Sequence, residues 1–85
     1  MKSFSYVIKD AEGIHARPAG ELVKLAKTFT SKVTIAKGEK SGDARKIFAV
    51  MGLGAKQGEE ITVTAEGDDE EKAIAEIEAF LNANL

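Results

Sequence analysis

His15 is the one histidine of the chain, and it stands in the run Gly13-Ile14-His15-Ala16-Arg17-Pro18-Ala19-Gly20. A neutral imidazole is a nucleophile at physiological pH, and a phosphoryl group placed on it is held by a P–N bond labile enough to be passed on. Two residues later, Arg17 supplies a planar fork of donors matched to phosphate oxygens. Pro18 has no N–H and a fixed φ, which suits the first turn of a helix. A helix starting here presents unpartnered backbone N–H groups and the positive end of its dipole beside His15, a setting that stabilises an anion. These residue types in this order point to reversible handling of phosphate. His15 is the candidate nucleophile and Arg17 its charge partner. Ala16, Arg17 and Pro18 form the helix start that receives the anion, through amide donors except at Pro18. Stripped of its neighbours, His15 reads more readily as an ordinary surface histidine beside a helix start.

The flanking elements must deliver that run to a helix start. Phe4, Tyr6 and Ile8 alternate with Ser3, Ser5 and Val7, the pattern of a half-buried strand ending near Asp10, and Ala11-Glu12-Gly13 turns the chain. From Ala16 to Thr28, Ala19, Leu22, Ala26 and Phe29 recur at helical spacing, with Arg17, Glu21, Lys24 and Lys27 on other faces. Val33 and Ile35 mark a second strand, Lys37-Gly38-Glu39 a turn, and Lys40 to Ala44 a weaker third strand. A short apolar helix over Arg45 to Leu53 is closed by Gly54, and a clear strand follows with Ile61, Val63 and Ala65 on one face. Asp68-Asp69-Glu70-Glu71 opens the last helix with carboxylates where its dipole favours them, and Ala73, Ile74, Ile77, Phe80 and Leu81 form its buried stripe. This order predicts an α+β sandwich, with helices over one face of an antiparallel sheet.

Eighty-five residues, 44% of them apolar, predict one domain over residues 1–85 with room for one core and one site. The absence of cysteine excludes disulfides, thiolate-bound zinc and a cysteine nucleophile. With a single histidine besides, no metal and no cofactor is expected. No stretch is apolar and long enough to span a bilayer, and the first residues lack a signal-peptide core, so a cytoplasmic protein with no direct membrane insertion is expected. The net charge of −2 hides a division: residues 1–58 carry eleven Lys and Arg against five acids, residues 59–85 one Lys against nine. The half containing His15 is therefore basic and draws acidic or phosphorylated partners. A nucleic-acid partner is disfavoured by the acidic second half and the lack of clustered aromatics.

The motif Gly13-Ile14-His15-Ala16-Arg17-Pro18-Ala19, after a first strand and before a helix, resembles the active-site segment of HPr, the histidine-containing phosphocarrier family of the bacterial phosphoenolpyruvate-dependent sugar phosphotransferase system. Ile47 to Gly54, Gly58 and the segment Glu60 to Gly67 are similar to the second helix and last strand of that family, so the resemblance covers essentially the whole chain. It implies an open-faced sandwich of a four-stranded antiparallel sheet and three helices, in the order βαββαβα. It implies, too, that Nδ1 of His15 accepts a phosphoryl group from enzyme I, itself charged by phosphoenolpyruvate, and gives it to the A components of sugar permeases. On this reading the chain is a monomeric carrier charged by a partner enzyme, not an enzyme itself. Nothing in the sequence alone selects Nδ1.

Seven of the nine residues from Ile47 to Ala55 are apolar, more than one buried face of a two-turn helix can use. Some of them are therefore expected outside the core as a partner patch, with Ile47, Phe48 and Met51 the candidates. Gly20, Lys24, Lys27, Arg45 and Lys46 complete the expected docking surface if the two helices lie side by side. Lys46 departs from the family pattern. In Gram-positive members this helix begins with a serine that a dedicated kinase phosphorylates, converting the carrier into a regulator, and lysine cannot take that phosphate.

Overall fold

A computed structural model describes all 85 residues. Its elements run β1 (Lys2–Val7), α1 (Ala16–Ala26), β2 (Lys32–Lys37), β3 (Lys40–Asp43), α2 (Ile47–Met51), β4 (Glu60–Glu66) and α3 (Glu70–Asn84). The four strands form one antiparallel sheet in the order β1-β4-β2-β3. β4 lies centrally because it has the most regular alternation. Ile61, Val63 and Ala65 are fully buried, while Thr62 and Thr64 lie on the outer face. Their partners in register, Tyr6 opposite Ile61 and Ile35 opposite Val63, put apolar side chains on the same inner face.

The helices cover that face and leave the other open. α3 lies on β1 and β4, α1 beside α3 and α2, and α2 against β3. Ala19, Leu22, Ala26, Ala73, Ile77 and Leu81 are all fully buried, and they anchor the two long helices through the stripes that their spacing predicts. The Tyr6 hydroxyl donates to the Leu81 carbonyl (3.0 Å), so the one polar group of that side chain is satisfied inside the core. α2 can approach β3 because of Gly42, where an added Cβ would stand 2.9 Å from the Ala49 Cβ.

Several boundaries are shorter than their patterns suggest, each through a specific hydrogen bond. β1 leaves the ladder after Val7. The Ile8 amide still donates to Glu59, but the Lys9 and Asp10 amides both donate to the Leu85 carbonyl (2.6 and 2.9 Å). α2 begins at Ile47, not Arg45, because the Asp43 carboxylate takes the Arg45 amide (2.8 Å) and the Asp43 carbonyl the Lys46 amide (3.0 Å). Asp69 is the N-cap residue of α3, but its side chain makes no capping bond. Its carboxylate reaches across to accept from the Thr30 amide (2.9 Å), the Ser31 amide (2.9 Å) and the Ser31 hydroxyl. These bonds hold Asp69 well below the usual carboxylate range, at about 2 against 3.8, with the Ser31 hydroxyl the largest influence and the Thr30 amide next. No helix is long and apolar enough to cross a membrane.

Candidate functional site

His15 occupies the N-cap of α1 with extended backbone (φ −103°, ψ −179°), and its ring makes no capping bond. Most N-cap side chains turn back to bond the first-turn amides; this one leaves them free. Its carbonyl accepts from Ala19, so the helix is already closed behind it. Ala16 and Arg17 follow as the first two helical residues, and neither amide has an acceptor within the protein. Pro18 stands in the same turn and is buried, fixing the backbone that aims those two donors. The first turn of this eleven-residue helix carries no acid of its own against the positive end of its dipole.

The loop ahead of His15 is set from two sides. Gly13 has φ +68°, and a Cβ there would lie 2.3 Å from the Ala55 carbonyl oxygen. That same carbonyl accepts the Ile14 amide (3.0 Å), locking the His15 loop to the segment after α2. Lys37 steadies the segment by donating to the Gly54 carbonyl (3.2 Å) and the Glu59 carboxylate (3.3 Å). Glu59 also accepts from the Lys56 amide, the larger cause of its lowered pKa, with Lys37 second. Ala55 and Lys37 belong to the support of the site, and their roles have no signature in local sequence pattern.

The ring side chain is 29% exposed, open to a partner yet held. Its Nε2 lies 3.4 Å from a Glu12 carboxylate oxygen and 3.9 Å from one of Asp10. The ligand atoms of Asp10, Glu12 and His15 all fall within 4.8 Å of one another. Sequence reasoning missed both acids, treating their segment only as a turn. The available signal was the turn itself, since a reversal just before an N-cap folds its side chains back over the capping residue.

Arg17, Lys24 and Lys27 line a shallow groove of about 420 Å³ along α1, together with Ala16, Gly20, Glu21 and Val23. Arg17, Lys24, Lys27 and Lys46 make no ion pair, whereas Arg45 is drawn to Asp43 at 3.5 Å. The Arg45 amide, and then its charge, lower the Asp43 pKa. α2 lies beside α1, the arrangement on which the expected docking surface depends, and the Ile47 Cδ1 comes within 3.8 Å of where a Gly20 Cβ would stand. Ile47 itself packs partly against the core; Phe48 is 86% exposed and Met51 37%. Lys46 is the exposed N-cap of α2. The expected docking residues are thus carried by α1 and its C-cap Lys27, by α2 and by the two residues just before α2, and the two helices pack against each other.

A family model described as the PTS HPr component phosphorylation site matches residues 2–83. The chain belongs to the HPr family. The phosphocarrier protein HPr of Mycoplasma capricolum subsp. capricolum is 46% identical over 77 residues, covering 91% of this chain and 86% of that protein. A mycoplasma histidine-containing phosphocarrier protein superposes with a TM-score of 0.94 at 41% identity, covering 96% of this chain and 93% of the other. An HPr dimer from Thermoanaerobacter tengcongensis gives 0.78 at 38% identity, with coverage of 98% and 95%. The open-faced sandwich of three helices and four antiparallel strands is thus the HPr fold, and a phosphocarrier role in the phosphotransferase system comes with the family.

Proposed function

We propose that His15 accepts a phosphoryl group at Nδ1 from phosphoenolpyruvate-charged enzyme I and passes it to the A components of sugar permeases. One observation carries this reading: a ring at a helix N-cap that makes no capping bond, beside two first-turn amides with no acceptor. In the charging step the Nδ1 lone pair forms a bond to phosphorus as the donor's bond to phosphorus breaks. The phosphoryl oxygens meet the Ala16 and Arg17 amides, the helix dipole and the Arg17 guanidinium, all of which favour negative charge. The two amides and the dipole are held in place by the helix and need not reorganise when the anion arrives, while the exposed Arg17 side chain closes onto it. In the second step the acceptor attacks phosphorus and the ring nitrogen leaves.

Docking in both steps uses one surface. Phe48 and Met51, with Ile47 behind them, offer the apolar centre; Gly20 allows the close approach of α2; Lys24, Lys27, Arg45 and Lys46 supply a basic rim. On this reading the carrier works as a monomer in the cytoplasm. The protein is a carrier turned over by its partners and needs no cofactor. The test is a chase: protein charged with radiolabelled phosphate is mixed with a permease A component. Label should leave the carrier and appear on the acceptor, and label that stays on the carrier or appears only as free phosphate contradicts the proposal.

A further inference from the structure

We propose that Glu12 and Asp10 are positioning residues that bias which nitrogen of His15 holds the phosphoryl group, by disfavouring Nε2. This rests on His15 being the phosphoryl acceptor and adds the device that makes its two nitrogens unequal. The Nε2 atom faces two carboxylates, 3.4 Å from Glu12 and 3.9 Å from Asp10. The arrangement is fixed in the backbone, since Asp10 Oδ1 accepts the Glu12 amide (2.8 Å) and the Asp10 amide donates to the Leu85 carbonyl. A neutral ring carries its one proton on the nitrogen that faces an acceptor, so the acids draw it to Nε2 and leave the Nδ1 lone pair bare. A phosphoryl dianion on Nε2 would instead stand against two negative charges. A phosphoryl dianion on Nδ1 avoids that contact. Glu12 is 72% exposed, so the discrimination is modest per charge and weakens with salt.

The test uses phosphoramidate, a small phosphoryl donor that imposes no docking geometry. A ring nitrogen attacks its phosphorus, the P–N bond of the reagent breaks, and ammonia leaves with a proton. Wild type and the shape-conserving double variant Asp10→Asn/Glu12→Gln are treated alike at low salt. The phosphorylated nitrogen is then read from ³¹P and ¹⁵N spectra of His15. Wild type should carry phosphate on Nδ1 almost alone. The double variant should raise the Nε2 share relative to Nδ1 by roughly fivefold or more, the size expected for losing exposed charge interactions. An unchanged ratio, or a wild type already substantially phosphorylated at Nε2, overturns the proposal. Failure of wild type to take phosphate from charged enzyme I would instead strike the underlying reading, so the two failures are separable. A merely structural role for the acids does not alter which nitrogen carries phosphate, and an unchanged amide spectrum of the variant confirms its fold.

Discussion

At Gly13 and Arg17, two residues on either side of His15, the same loop is governed by opposite demands. Gly13 serves geometry: its φ of +68° and the Ala55 carbonyl 2.3 Å from a would-be Cβ leave no place for a side chain. Gly13→Ala should therefore cost at least about 1–3 kcal/mol of stability in urea unfolding, and slow charging further by shifting His15. Arg17 serves charge. It is exposed and unpaired, so Arg17→Ala should leave the urea midpoint within error yet slow phosphoryl uptake by about tenfold or more, as loss of a charge-assisted contact to phosphate predicts. A loss of stability as large as the loss of rate would remove Arg17 from the site. The roles proposed for His15 and Arg17 are suggested by residue type and spacing together with the resemblance of Gly13 to Ala19 to the family's active-site segment. Those of Asp10 and Glu12 are not, because their approach to Nε2 depends on how the turn before α1 is held by Leu85, at the far end of the chain.

At the scale of elements, α2 is five residues long and leaves Phe48 almost wholly in solvent. Truncating it removes little buried surface. Phe48→Ala should change stability by no more than about 0.5 kcal/mol while measurably raising the concentration of carrier needed to half-saturate enzyme I. Unchanged steady-state kinetics would exclude the patch. The sequence shows an excess of apolar residues in this helix but not which of them face outward, since that is decided by where β3 and α1 happen to lie. The acids before α3 make the same point. They read as helix-capping carboxylates, yet Asp69 bonds the Thr30–Ser31 loop, joining α3 to the connection after α1. With its folded pKa near 2 and its ordinary value 3.8, Asp69 contributes stability in full above about pH 4, and that stability is lost as pH falls through 2. Urea midpoints followed by circular dichroism should decline over this window, and Asp69→Asn should be less stable at pH 7 with a flatter acid limb. Parallel acid limbs in the two proteins would show that Asp69 does not carry the effect.

Over the whole molecule, the alternation of β4 and the helical stripes of α1 and α3 are enough to predict helices over one face of an antiparallel sheet. Each of these long elements buries the face its period dictates. Strand order and the seating of α2 were not legible locally, because they rest on contacts such as Gly42 against Ala49 and Ile14 with Ala55, which join segments distant in sequence. The division of charge has a consequence at this scale. Residues 1–58, with eleven basic against five acidic side chains, carry both the His15 loop and the docking region, so long-range attraction should speed encounter with acidic partners. Second-order charging should accordingly slow by about tenfold between roughly 0.05 and 0.5 M salt, while the fold is unaffected. The most direct test of the central claim is the intact mass of the protein after incubation with phosphoenolpyruvate and enzyme I, with His15→Ala alongside. Wild type should gain one acid-labile phosphoryl group and the variant none; a wild type that gains nothing, or a variant that gains as much, would contradict phosphoryl transfer through His15.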